Sequence, residues 1–405
     1  MLKISAVLKD TLNGVIHLPT SKSISHRFLI IQAMSQVGEI QLDHISNSHD
    51  TILLQQALKS NQASIDFEDA GTPMRFYLAF AALKDKEVLI TGNGVLKTRP
   101  IAPLVNALGQ LGCRIKYSEQ SGFLPIQIEK GVELSSNKVE IDSALSSQFL
   151  SALLLIAPAF TNGLEIITTS EISSAPYVAL TLDAMQQCGI EVAHNNGVFK
   201  VKPGQFKTKL PIRIEGDWSA ACFVFAWAAL RPSKFELPDL NLNSKQGDKE
   251  AILFFKQLGV ESTQFADKVV VQSNPVLFPD SIFFDFTNTP DMFPVVTATC
   301  AFLKIKASFT GVKNLTIKES NRILAMQNNL RQTGAQLTII NENELFMDFD
   351  VSYTKEYHFK SYNDHRIAMA CSLFAFDKSI TIDNEMVVNK SFPNYWEQFR
   401  SVTCD

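Results

Sequence analysis

The sequence predicts an α/β protein, on three observations. An amphipathic helix followed by a glycine and a β-branched or alternating strand recurs four times, at Leu104 to Tyr117, Leu182 to Val192, Ile252 to Ser262 and Met326 to Ile340. The closing glycines Gly112, Gly189, Gly259 and Gly334 lie 70 to 77 residues apart, a regularity that suggests duplication of one unit rather than four unrelated left-handed helix caps. Glycine-closed, hairpin-like stretches such as Ile90 to Val95 continue the same alternation of helix and strand. At 405 residues the chain exceeds one ordinary core, so two domains are predicted. No low-complexity tether divides it, which points to a boundary of crossing strands.

The bulk numbers narrow the function. With 41 acidic and 37 basic residues the net charge is −4, which argues against nucleic acid or an acidic membrane surface as a general partner; any basic site must be local. The six cysteines are scattered, with no CxxC and no Cys/His cluster at metal-ligand spacing, and read as buried thiols in a reducing compartment. Lys3, Lys9 and Asp10 interrupt any apolar core a signal peptide would need. The apolar runs Phe149 to Phe160 and Ala220 to Leu230 are too short to span a bilayer. The reading is a cytoplasmic protein.

In chain order, a strand-like segment at Gly14 to Leu18 and a Pro19 turn lead into Ser21-Lys22-Ser23, then Ser25, His26 and Arg27 and the apolar run Phe28 to Ile31. Serine suits a helix start, but Lys22 and Arg27 do not: the helix dipole is already positive there, and an anion would balance it. The pattern returns. At Asp69 to Arg75, Gly71 allows close backbone approach ahead of a helix over Phe76 to Leu83. Ser146, Ser147 and Gln148 head an apolar helix from Phe149 to Ile156, groups able to hold a hydroxylated ring without added charge. Lys318 and Arg322, four apart, are expected on one helix face, with Glu319 beside them. Asp364, His365 and Arg366 precede a helix over Ile367 to Phe376. Arg99 and Lys390 sit at turn-like positions next to Pro100 and ahead of Phe392-Pro393.

Each of these has a bland alternative: a capping Asp364, a satisfied core His365, an exposed Arg99, solvated cations on a surface helix. Together, eight cations (Lys22, Arg27, Arg75, Arg99, Lys318, Arg322, Arg366, Lys390) mostly near helix starts of an acidic protein imply small, multiply charged ligands. Cations serving only solvation would fall more naturally at helix C-termini. Few aromatics surround them, which disfavours base stacking.

These residues resemble the enolpyruvyl transferases, specifically the branch acting on shikimate 3-phosphate. The resemblance runs nearly end to end, through LPTSKSISHR, DAGTPMR, KTRPIAPLVNALGQLG, SSQFLSALLLIAP, SSAPY, EGDWSAA, KESNRI, YNDHRIAMA and FPNYWEQF. It implies two similar domains, each of three βαβαββ repeats forming an inside-out α/β barrel: residues 1–20 with 215–405, and residues 21–214, with the active site in the cleft between them.

The resemblance also implies roles. Lys22, Ser23 and Arg27 match the first substrate-binding motif, and Lys22 reaches both ligands. Ser146, Ser147, Gln148, Ser174, Tyr177, Asp291, Asn314 and Lys318 match shikimate-3-phosphate positions. Gly71, Arg99, Gln148, Arg322, His365, Arg366 and Lys390 match phosphoenolpyruvate positions. Lys22, Asp291 and Glu319 would be catalytic, with no metal and no cofactor implied. The partners are then two small molecules, not nucleic acid or membrane, and the protein a monomer. Departures from the family pattern are Thr20 for Gly, Asp69 for Asn, Pro73 for Ala, Phe76 for Pro and Trp218 for a small residue. Two rival readings are a UDP-N-acetylglucosamine enolpyruvyl transferase, which needs a reactive loop cysteine, and a non-catalytic anion-binding module.

Overall fold

Hydrophobic periodicity resolves, in a computed structural model, into six copies of one supersecondary unit. The structure describes residues 1–36, 38–84, 86–132, 134, 136–274, 276–350 and 356–404. The chain divides into two units, Met1–Thr20 with Glu215–Asp405, and Ser21–Ile214. The first is called the outer-chain unit below and the second the inserted unit.

Four repeats are complete and identical in plan: strand, helix, parallel strand, helix, antiparallel hairpin. In the inserted unit, Ser64–Asp66 pairs parallel with Val88–Thr91 through the helix Gly71–Ala82; the helix Ala102–Gln110 then leads to Ile115–Tyr117 and Ile126–Ile128. Lys138–Ile141, Leu164–Thr168, Val192–Asn195 and Val198–Val201 repeat the order. In the outer-chain unit the same sheet order is built by Leu12–Val15, Ser233–Pro238, Val260–Gln264 and Lys268–Ser273, and again by Ser281–Asp285, Lys306–Thr310, Ala335–Asn341 and Glu344–Phe349.

Each unit completes its trio with a smaller sheet. Ile212–Arg213 runs parallel to Leu42–Asp43 in the inserted unit, and Leu2–Ile4, Ile380–Ile382 and Tyr357–Phe359 form the third sheet of the other. The crossover helices occupy the middle. Lys22–Met34, Gly71–Ala82 and Ser147–Ile156 pack on one another, and Phe293–Leu303 packs against both Trp218–Leu230 and His365–Ser372. A central helix has no solvent face, so it must be apolar all round. Trp218–Leu230 meets that demand, with every residue but Ser219 buried.

The four repeat glycines close the second helix of each complete repeat with φ of 96°, 80°, 81° and 84°, the left-handed region a side chain would resist. The remaining repeats lack that glycine because their hairpin is missing or supplied by the other end of the chain, and so the four-fold pattern understated a six-fold one. The strand predicted over Gly14 to Leu18 lies at Leu12–Val15, its register set by parallel pairing with Ser233–Glu236.

Candidate active site

The starts of the repeat helices hold the chemistry. In the inserted unit, Ser21 caps Lys22–Met34, its hydroxyl accepting from the Ile24 amide at 3.5 Å. Lys22 pairs with buried Asp50 at 2.9 Å, at the start of the helix His49–Lys59. Arg27 is 2% exposed and spends three donors locally: Nε on Thr181 Oγ1 at 2.8 Å, Nη1 on the Ser23 carbonyl at 2.8 Å, and Nη2 on the Tyr177 carbonyl at 2.6 Å. It thus ties the Lys22 helix to the turn that presents Tyr177. Burial draws the Arg27 guanidinium down to about 10, still charged at neutral pH. Phe76, at the position where the resemblance has proline, lies 5.5 Å from its guanidinium carbon.

The helices Gly71–Ala82 and Ser147–Ile156 meet through Arg75, whose Nη1 donates to Gln148 Oε1 at 3.1 Å. A Cβ on Gly71 would fall 2.7 Å from Nη1 of both Arg75 and Arg99, so only glycine lets two guanidiniums converge on that backbone. Ser146 caps its helix through the Gln148 amide at 3.2 Å, and buried Ser174 caps Ala175–Gln187 from a left-handed conformation (φ 55°), strain of the kind functional sites hold.

The outer-chain unit carries a denser set of charges. Arg322 is fully buried and grips three carboxylates: Nη1 on Asp291 at 2.7 Å, Nη2 on Glu319 at 2.8 Å and Nε on Asp364 at 2.9 Å. Arg366 Nη2 holds the other Asp291 oxygen at 2.9 Å. Asp364 caps His365–Ser372 through the Arg366 amide at 3.0 Å and accepts from Ser320 at 3.1 Å. Burial pushes the Asp291 carboxyl upward, but Arg366, Arg322 and Lys318 outweigh it and hold it well below the usual carboxylate range. Burial likewise opposes the charge on Arg322, and Asp364, Glu319 and Asp291 overcome it.

Several expectations change. Lys318 and Arg322 do not share a helix face: Lys318 ends the 3-10 helix Lys313–Ile317 in an extended conformation, and Asn321 caps a new helix, Arg322–Arg331. Arg322 is compensated by carboxylates, which sequence spacing could not place. Arg75 lies inside a helix that starts at Gly71, Lys390 ends the 3-10 helix Met386–Lys390, and Cys404 is exposed beyond the last helix. Cys113, which the rival transferase reading would need in a reactive loop, is buried, donates toward the Ala82 carbonyl at 3.6 Å, and has its thiol pushed up to about 11 by burial. The sequence singled out neither Asp50 nor the anchoring role of Asp364, because both act through long-range contacts.

Among the described residues no group of three or more His, Cys, Asp or Glu is placed to hold a metal, and no helix is long and apolar enough to cross a membrane. Repeats of one βαβαββ-type plan thus bring arginines, hydroxyls and paired carboxylates to their helix starts, a set suited to anionic ligands. A family model described as EPSP synthase (3-phosphoshikimate 1-carboxyvinyltransferase) matches residues 38–399. The 3-phosphoshikimate 1-carboxyvinyltransferase of Bacteroides fragilis (strain YCH46) is 36% identical over 394 residues, covering 96% of this chain and 95% of that protein. That of Histophilus somni is 32% identical over 427 residues, covering 97% of each. A solved EPSP synthase from Acinetobacter baumannii superposes with a TM-score of 0.78 over 100% of this chain and 98% of that one; at 20% identity it speaks for the fold alone. The chain belongs to the EPSP synthase family.

Proposed function

We propose that the chain transfers the enolpyruvyl group of phosphoenolpyruvate to the 5-hydroxyl of shikimate 3-phosphate, with the residues above in the following roles. The hydroxyl oxygen adds to C2 of phosphoenolpyruvate while C3 gains a proton, giving a tetrahedral intermediate. Loss of a C3 proton and of phosphate then gives 5-enolpyruvylshikimate 3-phosphate.

The observation that carries the assignment is the three-carboxylate grip on Arg322 beside Arg366. Two guanidiniums that clamp Asp291 are planar forks suited to phosphate and carboxylate. We assign Arg322, Arg366, Lys390, His365, Gly71 and Arg99 to phosphoenolpyruvate. Ser23, Arg27, Ser146, Ser147, Ser174, Tyr177, Asn314 and Lys318 are assigned to shikimate 3-phosphate, with Gln148 and Lys22 serving both.

Clamped by two arginines, Asp291 is a weak base. An incoming anion that draws Arg366 and Arg322 toward itself removes that stabilisation, and Asp291 then accepts the 5-hydroxyl proton. Glu319, held by the same Arg322, handles the C3 proton, and Lys22 stabilises developing negative charge. In this way substrate binding itself raises the basicity the first step requires.

The test is phosphate release from the purified protein given phosphoenolpyruvate with shikimate 3-phosphate, beside a parallel with UDP-N-acetylglucosamine. Release with the first acceptor alone is the expected outcome; release with the second, or with neither, would refute the reading.

A further inference from the structure

Within the outer-chain unit, three repeats contribute two helix starts each. The second repeat places Asp291 with Lys318 to Arg322, the third places Asp364 to Arg366 with Lys390 at the end of its 3-10 turn, and residues at each of these places enter the proposed reaction. The first repeat has Asp217 at one start and Asp248 at the other. Asp248 therefore stands where its sister repeats put Lys318–Arg322 and Lys390.

Its surroundings are built rather than incidental. Asp248 is 3% exposed in the 3-10 turn Gly247–Glu250, which continues into the helix Ala251–Lys256. Ser219, at the start of the same repeat's central helix, donates to Asp248 Oδ2, and the Cys222 thiol reaches the Asp248 carbonyl at 3.7 Å. Oδ1 is buried and has no hydrogen-bond partner among the described residues. An ionised carboxylate so placed would leave a charged oxygen without a donor, whereas a protonated one loses far less.

We propose that Asp248 is a positioning residue for phosphoenolpyruvate binding: a neutral carboxylic acid in the resting site whose ionisation would compete with the substrate for Arg366. The groups that act on it come from each neighbouring element: Asp217, Ser219 and Cys222 from the central helix and its cap, Asp291 from Pro290–Met292 and Arg366 from His365–Ser372. Burial pushes the Asp248 carboxyl up to about 7, and the charge of Asp291 acts the same way. Arg366 and the Ser219 hydroxyl pull it down, and Asp217 adds a further push upward. While Asp248 is neutral, Arg366 faces one buried negative charge fewer, and its hold on Asp291 leaves it able to turn to a substrate anion. Once Asp248 ionises, a second buried carboxylate draws on the same guanidinium.

The inference rests on the assignment of Arg366 to phosphoenolpyruvate, and its test separates the two. Steady-state kinetics from below to above neutral pH should show the KM for phosphoenolpyruvate rising on the order of tenfold as Asp248 ionises, as expected for one added charge at close range, with kcat changing less. Asp248→Asn, an isostere of the neutral acid, should keep the low KM throughout. The substrate's own phosphate titrates alike with both proteins, so the difference between them is the signal. Ser219→Ala should shift the inflection to higher pH, because the lost bond favoured the ionised form. A protonated-carboxyl infrared band present at neutral pH and missing from Asp248→Asn reads the proton without any turnover, so it still decides the matter if the proposed activity is absent. Identical pH profiles for wild type and Asp248→Asn, or no band lost in the variant, would overturn the proposal.

Discussion

The two units are made of the same repeat, yet they fill their helix starts differently. The inserted unit uses mostly hydroxyls, an amide and backbone carbonyls beside the Lys22–Asp50 pair; its buried Arg27 is satisfied by neutral oxygens. The outer-chain unit uses full charges, with Arg322 alone holding three carboxylates. One architecture thus supports two electrostatic regimes. In the proposed reaction, neutral partners around a fixed cation would leave its charge for a phosphorylated ring, while mutually clamped charges would hold a base that ligand anions release.

The largest effect should come from breaking the charged half. Asp291→Asn removes the proposed base while keeping shape, and turnover should fall by roughly 10²- to 10⁴-fold with phosphoenolpyruvate binding, read by calorimetry, largely retained. Near-normal turnover would end its role as base. Arg322→Met strikes the same network as a structural part: Asp364, fully buried, loses its guanidinium partner, and denaturant unfolding should show a loss of about 3–5 kcal/mol. A change below ~1 kcal/mol, the range of exposed pairs, would mean the network is solvated.

The neutral half should respond more mildly. Gly71→Ala puts a methyl 2.7 Å from the Arg75 and Arg99 guanidiniums. They must shift, and the KM for phosphoenolpyruvate should rise on the order of tenfold, the cost of one weakened charged contact, with the fold intact by circular dichroism.

The units should also differ in pH-dependent stability, with opposite signs. His26, fully buried beside Thr51 at 3.1 Å, has its ring drawn down to about 3 by burial, with Asp50 opposing and Lys22 and Arg27 assisting. A depressed histidine binds its proton more readily when unfolded, so stability present above the ordinary imidazole value of 6.5 is lost as pH falls toward 3. Asp248 is raised, so its contribution is complete below 3.8 and lost as pH rises through about 7. His26→Gln should flatten the acid side of a melting-temperature profile and Asp248→Asn the neutral side. Either variant leaving its side unchanged would remove that group from the account.

Much of this was legible in the residues. Apolar periodicity, the four glycines and the helix-start serines and cations fixed the α/β class, the duplication and an anion-handling chemistry, because helix faces and caps are local and each residue's part in them depends on neighbours a few positions away. Lys318 and Arg322 mark where that logic stops: a four-residue spacing implied a shared face, and the chain breaks between them. Glu319 lies only three residues from Arg322, but its other partners lie 31 and 42 residues distant and the partner of Lys22 lies 28 away, separations at which no pattern in the chain predicts contact. The fold alone decided that Asp291 is clamped and that Asp248 is sealed behind the central helix. Burial and the approach of distant charges set the protonation of a carboxylate, and both arise only when the repeats pack.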